Sequence, residues 1–359
     1  MYYYVIIYNK SKFMSTLFGR ALRYIQRHTK RALYANRFYN WYIFSRKLSR
    51  LWYETANKHY ANSMAYSERA QSKTVIFLCN GFVEHGGWGD RLKGILSTYA
   101  VCKNIGVDFR LSFTSPFPLT DYLVPNTYDW TIGEDEVIYD RTVSDVITLE
   151  IGAETDWQAR KQYDYLKENI LRSSARQIHV YTNAHFAYNH GFSELFNELF
   201  KPTERFRVSI EKCKRELGYD YVSVSSRFIN SLGDFEDTQK MNALPQPLRQ
   251  QLLDRCVEQV RLLHESNPNS RILVCSDSST FLNALSALPY TYVYSGRMVH
   301  LDVNTPNSSY ELYEKTFVDF MLIAEATHIY RLETRWVRNS GFPYAASKVY
   351  GHPFHSICF

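Results

Sequence analysis

"TVIFLCNGFVEHGGWGDRLKGILSTYAVCKNIGVDFRLSF", residues 74–113, decides the fold class. Thr74 to Cys79 is a short apolar run ending in a turn-rich loop, the pattern of a buried strand. Leu92, Ile95, Leu96, Tyr99 and Ala100 then recur at helical spacing, and "DFRLSF" (108–113) reads as the next strand. Strand, crossover helix and strand together favour a parallel sheet whose loops gather at the carboxyl ends of the strands. The loop with Gly86, Gly87 and Gly89 lies at that edge. There it can hold an anion, cap the helix or merely turn the chain.

Working outward, residues 114–145, with Pro116, Pro118 and Pro125, read as a long excursion. A helix over 156–172 and a strand at 178–182 follow. A second alternation begins with the strand "YDYVSVSSRF" (219–228). The amphipathic helix 247–266, the strand "RILVCSDS" (271–278), the strand "YTYVYS" (290–295), a helix over 309–326 and the strand "HIYRL" (328–332) continue it. The expected architecture is α/β, with two Rossmann-like doubly wound domains over 72–206 and 207–359. A basic, aromatic extension over 1–71 precedes them.

The 359 residues suit two cores better than one. No apolar run reaches the roughly 18 residues of a membrane helix. The six cysteines lack CxxC spacing and read as reduced, mostly buried thiols, which favours the cytosol and argues against structural zinc. Charge is uneven. Residues 1–53 hold eleven Lys/Arg and no Asp or Glu, which leaves 31 basic against 36 acidic residues elsewhere. Basic residues interleaved with aromatics, as in "FYNWYIFSRKLSRLWY" (38–53), suit an anionic membrane surface. A helix packed on the main domain with a solvated basic face fits equally well. No recognition motif supports nucleic acid.

Ligands of open α/β sheets bind beyond the carboxyl ends of the strands. In the second series Arg227 follows one strand, and Ser276, Asp277 and Ser278 follow the next. Ser340, Gly341 and Phe342 precede the helix-prone "PYAASKVYG" (343–351). A guanidinium can clamp a phosphate as a bidentate fork. A carboxylate can accept from a guanine edge, and amides at a helix N-terminus suit a second phosphate. A structural ion pair at Arg227 and an ordinary helix cap at 276–278 are the bland alternatives.

The order "GGWGDR" (86–91), "VSVSSRF" (222–228), "VCSDSSTFL" (274–282) and "DFMLIAEATHIY…NSGFPYAAS" (319–347) resembles the GDP-fucose-dependent α1,2-, α1,6- and protein-O-fucosyltransferases. The bacterial nodulation-type and polysaccharide-locus enzymes come nearest, and the resemblance covers about residues 74–358. It implies the GT-B arrangement of two domains facing across a cleft, and inverting, metal-independent transfer with no cofactor. The donor, GDP-fucose, would lie in the C-terminal domain. Arg227 would be the catalytic donor-phosphate arginine and Asp277 the guanine-binding carboxylate. Ser276 and Ser278 would flank it, and Ser340, Gly341 and Phe342 would contact the diphosphate. Gly86, Gly87, Gly89, Asp90 and Arg91 would face the donor from the other domain. The implied acceptor is a glycan or lipid-linked glycan in surface polysaccharide or glycoconjugate synthesis, at the cytoplasmic face of a membrane. Two departures stand out. Ser225 occupies a position where many members have His, and Gly233–Asp234 lie six and seven residues beyond Arg227 rather than close behind it.

A departing diphosphate needs its growing charge stabilised. The chain has no Asp-X-Asp triplet for a metal, and "GEDE" (133–136) reads as a solvated turn, so positive protein groups must serve. His85 and Glu84, with Asp90 nearby, are candidates for a general base; a lone loop histidine is equally a surface residue. "HFAYNH" (185–190) and "HPFH" (352–355) read as packing or surface residues. Two alternatives stay open: a GT-B transferase using GDP-mannose or a UDP-sugar, and a non-catalytic sugar- or nucleotide-binding relative.

Overall fold

The apolar runs at 74–79 and 221–226 become interior strands of two separate parallel sheets. A computed structural model describes residues 46–63, 73–150, 155–185, 191–235, 242–296, 298–302 and 309–359. The chain divides between Leu51 and Trp52 into two units, and every element below belongs to the second.

The first series runs α1 (helical residues 52–57), β1 (Thr74–Cys79), α2 (Trp88–Ile105), β2 (Asp108–Phe113), β3 (Leu123–Pro125), β4 (Ser144–Leu149), α3 (Asp156–Arg172), β5 (Gln177–Thr182), α4 (Phe192–Leu199) and β6 (Phe200–Pro202). Its sheet has the order β2-β1-β5-β4, all parallel; β3 and β6 form a separate antiparallel pair. The second series runs α5 (Glu204–Leu217), β7 (Tyr221–Ser226), α6 (Gln246–Ser266), β8 (Arg271–Ser276), α7 (Ser279–Ser286), β9 (Thr291–Tyr292), α8 (Tyr310–Glu325), β10 (His328–Glu333), α9 (Gly341–Tyr350) and β11 (Phe354–Cys358). Its sheet has the order β11-β10-β7-β8-β9, again parallel throughout. The α/β class and the paired parallel sheets are as the sequence implies.

Parallel strands read as unbroken apolar runs because both of their faces are dry. Val75, Phe77 and Cys79 of β1 join one core with residues of α2, α4, α5, α8 and α9 and with Leu273 and Cys275 of β8. Those helices therefore fill the space between the sheets. Ile76 and Leu78 face the opposite way, onto Trp52, Ala56 and Tyr60. Ile272 and Val274 likewise face Cys256 and Val260 of α6 and Phe281 and Leu285 of α7.

The structure corrects the extension expected over 1–71. Trp52, Ala56 and Tyr60 within it are core, because they cover a sheet face that would otherwise meet water. Residues 1–45, with most of the expected membrane-binding segment, lie outside the described residues. Four strands escaped the sequence: the short pair β3 and β6, and β4 and β11. The strand β4 emerges from the end of the supposed excursion. The edge strand β11 forms where "HPFH" reads as surface, and its burial is too shallow to impose an apolar run. Conversely, the strand expected at 290–295 shrinks to Thr291–Tyr292 at the other edge.

Topology positions the site. From β7 the chain adds β8 and β9 on one side, then crosses to add β10 and β11 on the other. The loops after β7 and β10 thus leave in opposite directions and open a crevice at the carboxyl ends of the strands.

Candidate donor-binding cleft

Arg227 is the first residue beyond β7, at that crevice. Its position is set by Asp277, just beyond β8, whose carboxylate accepts from the N–H groups of Phe228 and Ile229, both at 2.8 Å. The second bond holds Ile229 in the left-handed region at φ 58°, a conformation that costs a β-branched residue on the order of 1 kcal/mol. Burial pushes the Asp277 carboxyl up to about 6; the two amides and the Arg227 charge restrain the rise. On the far side, Arg338 N–H donates to the Arg227 carbonyl at 2.7 Å and Ser231 Oγ to the Trp336 carbonyl at 2.8 Å. The loops leaving β7 and β10 are thereby tied together. Arg331, buried on β10, donates to the Ser340 carbonyl at 2.7 Å and so fixes the start of α9.

The cleft formed here has about 930 Å³ of empty space, its mouth included. Loops and helix starts of both series line it. Gly87, Trp88, Gly89, Asp90 and Lys93 come from the first, and Ser225, Ser226, Arg227, Phe235, Cys275, Ser276 and Asp277 from the second. Met298 to Leu301, Thr316 and Ser340 to Pro343 complete it. Its make-up, apolar walls around a few polar groups, is that of a small-molecule site.

Three helices begin at or beside this cleft, and the unmatched N–H groups of a helix start attract negative charge. The start of α2 already carries Asp90, paired with Lys93 Nζ at 2.5 Å. That of α7 carries Asp234, which accepts from Thr280 N–H at 2.7 Å and Ser278 Oγ at 2.8 Å. The first turn of α9 holds no acidic residue. Its Ser340 Oγ accepts from Phe342 N–H at 3.3 Å, and a Cβ on Gly341 would meet nothing within 4 Å, so the backbone there is uncovered. Arg227 and the start of α9 line the same cleft, and a guanidinium and a helix N-terminus each favour an anion.

Of the residues singled out from the sequence, Gly87, Gly89, Asp90, Arg227, Ser276, Asp277, Ser340, Gly341 and Phe342 line the cleft. The others do not. Ser278 is the N-cap of α7 and accepts from Phe281 N–H. Gly86, at φ +83°, donates its N–H to Asp302 at 2.6 Å, and Arg91 is buried in an ion pair with the same carboxylate. A Cβ on Gly89 would stand 3.7 Å from Phe342 Cα, an ordinary contact, so α2 meets α9 here without needing a glycine. His85 is buried against Trp52 and Phe77, and burial, helped by the Arg91 charge, holds it down to about 3. It stays neutral and cannot meet an acceptor. Glu84 is exposed and outside the cleft. Of the acid–base candidates on this loop, the cleft holds only Asp90. The sequence reading missed Lys93, one helical turn beyond Asp90, and the wall at 298–301, which carries no motif.

No protein-family model matches the chain, and no curated protein matches it. Among solved structures, the chain is similar to fucosyltransferases. NodZ α-1,6-fucosyltransferase co-crystallised with GDP is 16% identical with a TM-score of 0.49, over 77% of this chain and 92% of that one. The fucosyltransferase NodZ from Bradyrhizobium is 15% identical with a TM-score of 0.48, over 77% and 92%. POFUT1 in its apo form is 12% identical with a TM-score of 0.46, over 81% and 99%.

Proposed function

We propose that this chain is an inverting glycosyltransferase that takes fucose from GDP-fucose to a glycan acceptor, without a metal. The observation that carries the reading is that Arg227 and the start of α9, whose first turn holds no acidic residue, line the same cleft. The ordered motifs around Gly86, Arg227, Asp277 and Ser340 support it as well. In transfer, the acceptor oxygen attacks the anomeric carbon as the bond to the β-phosphate oxygen breaks, and the acceptor proton leaves to a base. The diphosphate departs with the bonding pair. Arg227 and the α9 amides lie where that charge grows, the place at which preorganised donors contribute most. Asp277 Oδ2, which accepts from Ile229 N–H, has a second lone pair to offer a base edge.

The test is thermal unfolding of the full chain with GDP, UDP, ADP and their sugars. A nucleotide at 100 times its dissociation constant should add about 2.7 kcal/mol. Stabilisation by GDP and GDP-fucose, with turnover that survives a chelator, is the expected result. Preference for UDP would move the donor to another sugar nucleotide; no stabilisation by any of them would end the reading.

The acceptor we propose is a surface glycan or its lipid-linked precursor, met at the cytoplasmic face of a membrane through the basic N-terminal segment. Among the described residues no helix is long and apolar enough to cross a membrane. Residues 1–45 hold eight Lys/Arg, each adding about 1 kcal/mol near anionic lipid. Since Trp52 is core, the informative truncation removes 1–45 and no more. It should release the protein from anionic vesicles and leave nucleotide binding unchanged; vesicle recovery equal to that of the full chain would remove the lipid role.

A further inference from the structure

The segment from Tyr294 to Asp302 connects β9 toward α8, and Met298 to Leu301 form one wall of the cleft. It is held at several points. Lys315 Nζ donates to the Tyr294 carbonyl at 2.8 Å, and Thr316 Oγ1 donates to Met298 Sδ at 3.4 Å. At its far end the hold comes from the other sheet's loop. Asp302 Oδ2 accepts from Gly86 N–H at 2.6 Å, and Asp302 Oδ1 accepts from Arg91 Nη2 at 2.8 Å. The same guanidinium donates to the carbonyls of Gly86 at 3.0 Å, Ser115 at 2.9 Å and Leu301 at 3.5 Å. Both partners of this ion pair are almost wholly buried, at 5% and 7% side-chain exposure, so water does not loosen it. Neither Arg91 nor Asp302 lines the cleft, but each is chain neighbour to residues that do.

We infer that Asp302 is a positioning residue for the donor site. Through Arg91 and the Gly86 amide it staples the wall at 298–301 to the loop that carries Gly87 to Asp90, the wall from the opposite sheet. The role in donor affinity rests on the function proposed above; the staple itself does not. Groups that bind one ligand from separate segments must be held within about 0.5 Å of the productive geometry. A cleft whose two walls come from different sheets depends on such a joint more than one built on a single rigid element.

The test is Asp302→Asn in the full chain, which keeps the shape but loses the charge and one acceptor. Amide hydrogen exchange should quicken over both 86–93 and 298–302 and stay unchanged across α6. The dissociation constant for GDP, measured by calorimetry, should rise about tenfold. In the transfer assay the donor KM should rise with it, while kcat at saturating donor is kept. Glu325→Gln, which breaks the Lys214–Glu325 ion pair joining α8 to α5, is the control and should change neither exchange at the cleft nor affinity. Unchanged exchange over both segments, or unchanged GDP affinity beside altered exchange, overturns the inference. If the wild-type chain bound no nucleotide, the functional reading would fall, and exchange would still decide the staple. Should Asp302→Asn not fold, Arg91→Lys is read in the same way, since it keeps the cation and loses the carbonyl bonds.

Discussion

Arg227→Ala should lower transfer by about 10³-fold or more while the chain keeps its fold. The side chain stands at the end of β7, partly exposed in the cleft, and the loop that carries it is held through backbone atoms. Asp277 grips the amides of Phe228 and Ile229, and Arg338 N–H reaches the carbonyl of residue 227; none of these bonds uses the guanidinium. Truncation therefore leaves those backbone bonds in place while it removes the charge proposed to meet the departing diphosphate. Arg227→Lys should recover no more than about a tenth of the lost activity, because an ammonium is a point charge and cannot form a two-point fork. The measurement is single-turnover transfer with nucleotide affinity determined alongside. Near-normal turnover by the alanine variant would show that another group carries the leaving-group charge.

Gly94→Ala should destabilise the chain by about 3 kcal/mol, although alanine is the better helix former by about 1 kcal/mol. Gly94 lies in α2 where the helix rests on β5. A Cβ there would sit 2.0 Å from the Thr182 carbonyl oxygen, 2.8 Å from its carbon and 2.9 Å from Phe77 Cε2. Thr182 cannot yield, since it is ladder backbone and its own hydroxyl donates to the Leu149 carbonyl at 2.6 Å. The helix would have to lift by more than an ångström, pulling Leu92, Ile95 and Tyr99 from the shared core. Its first two turns carry Asp90 and Lys93, which line the cleft, so nucleotide affinity should weaken as well. Urea unfolding reads the first effect and calorimetry the second; an unchanged urea midpoint would mean that α2 is not seated on Thr182.

Much of this was legible because strong local signals agreed. Apolar runs six residues long could only be strands dry on both faces, and β1, β2 and β8 begin where the pattern placed them. The residue after each run then had to lie at the carboxyl edge, which is why Arg227 and Asp277 were found without knowledge of the contacts. The short edge strands β9 and β11 were hard to read, since an edge buries too little to impose a period. The glycine loop was read only in part. Spacing marks Gly86 to Arg91 as a loop before a helix, but the direction in which Arg91 points depends on Asp302, more than two hundred residues away.

The sequence by itself determined two parallel sheets, the loops at their carboxyl edges, and the residue types gathered there. Each follows from periodicity and chain order, which are local. Tertiary structure alone decided which of those groups are matched by partners elsewhere in the fold. Asp234 and Asp90 occupy two helix starts, Arg91 is bound to the opposite loop, and His85 is sealed behind a sheet that Trp52 covers. A charge acts on a ligand only where no nearer partner has already matched it, and in a folded chain those partners come from anywhere in the sequence.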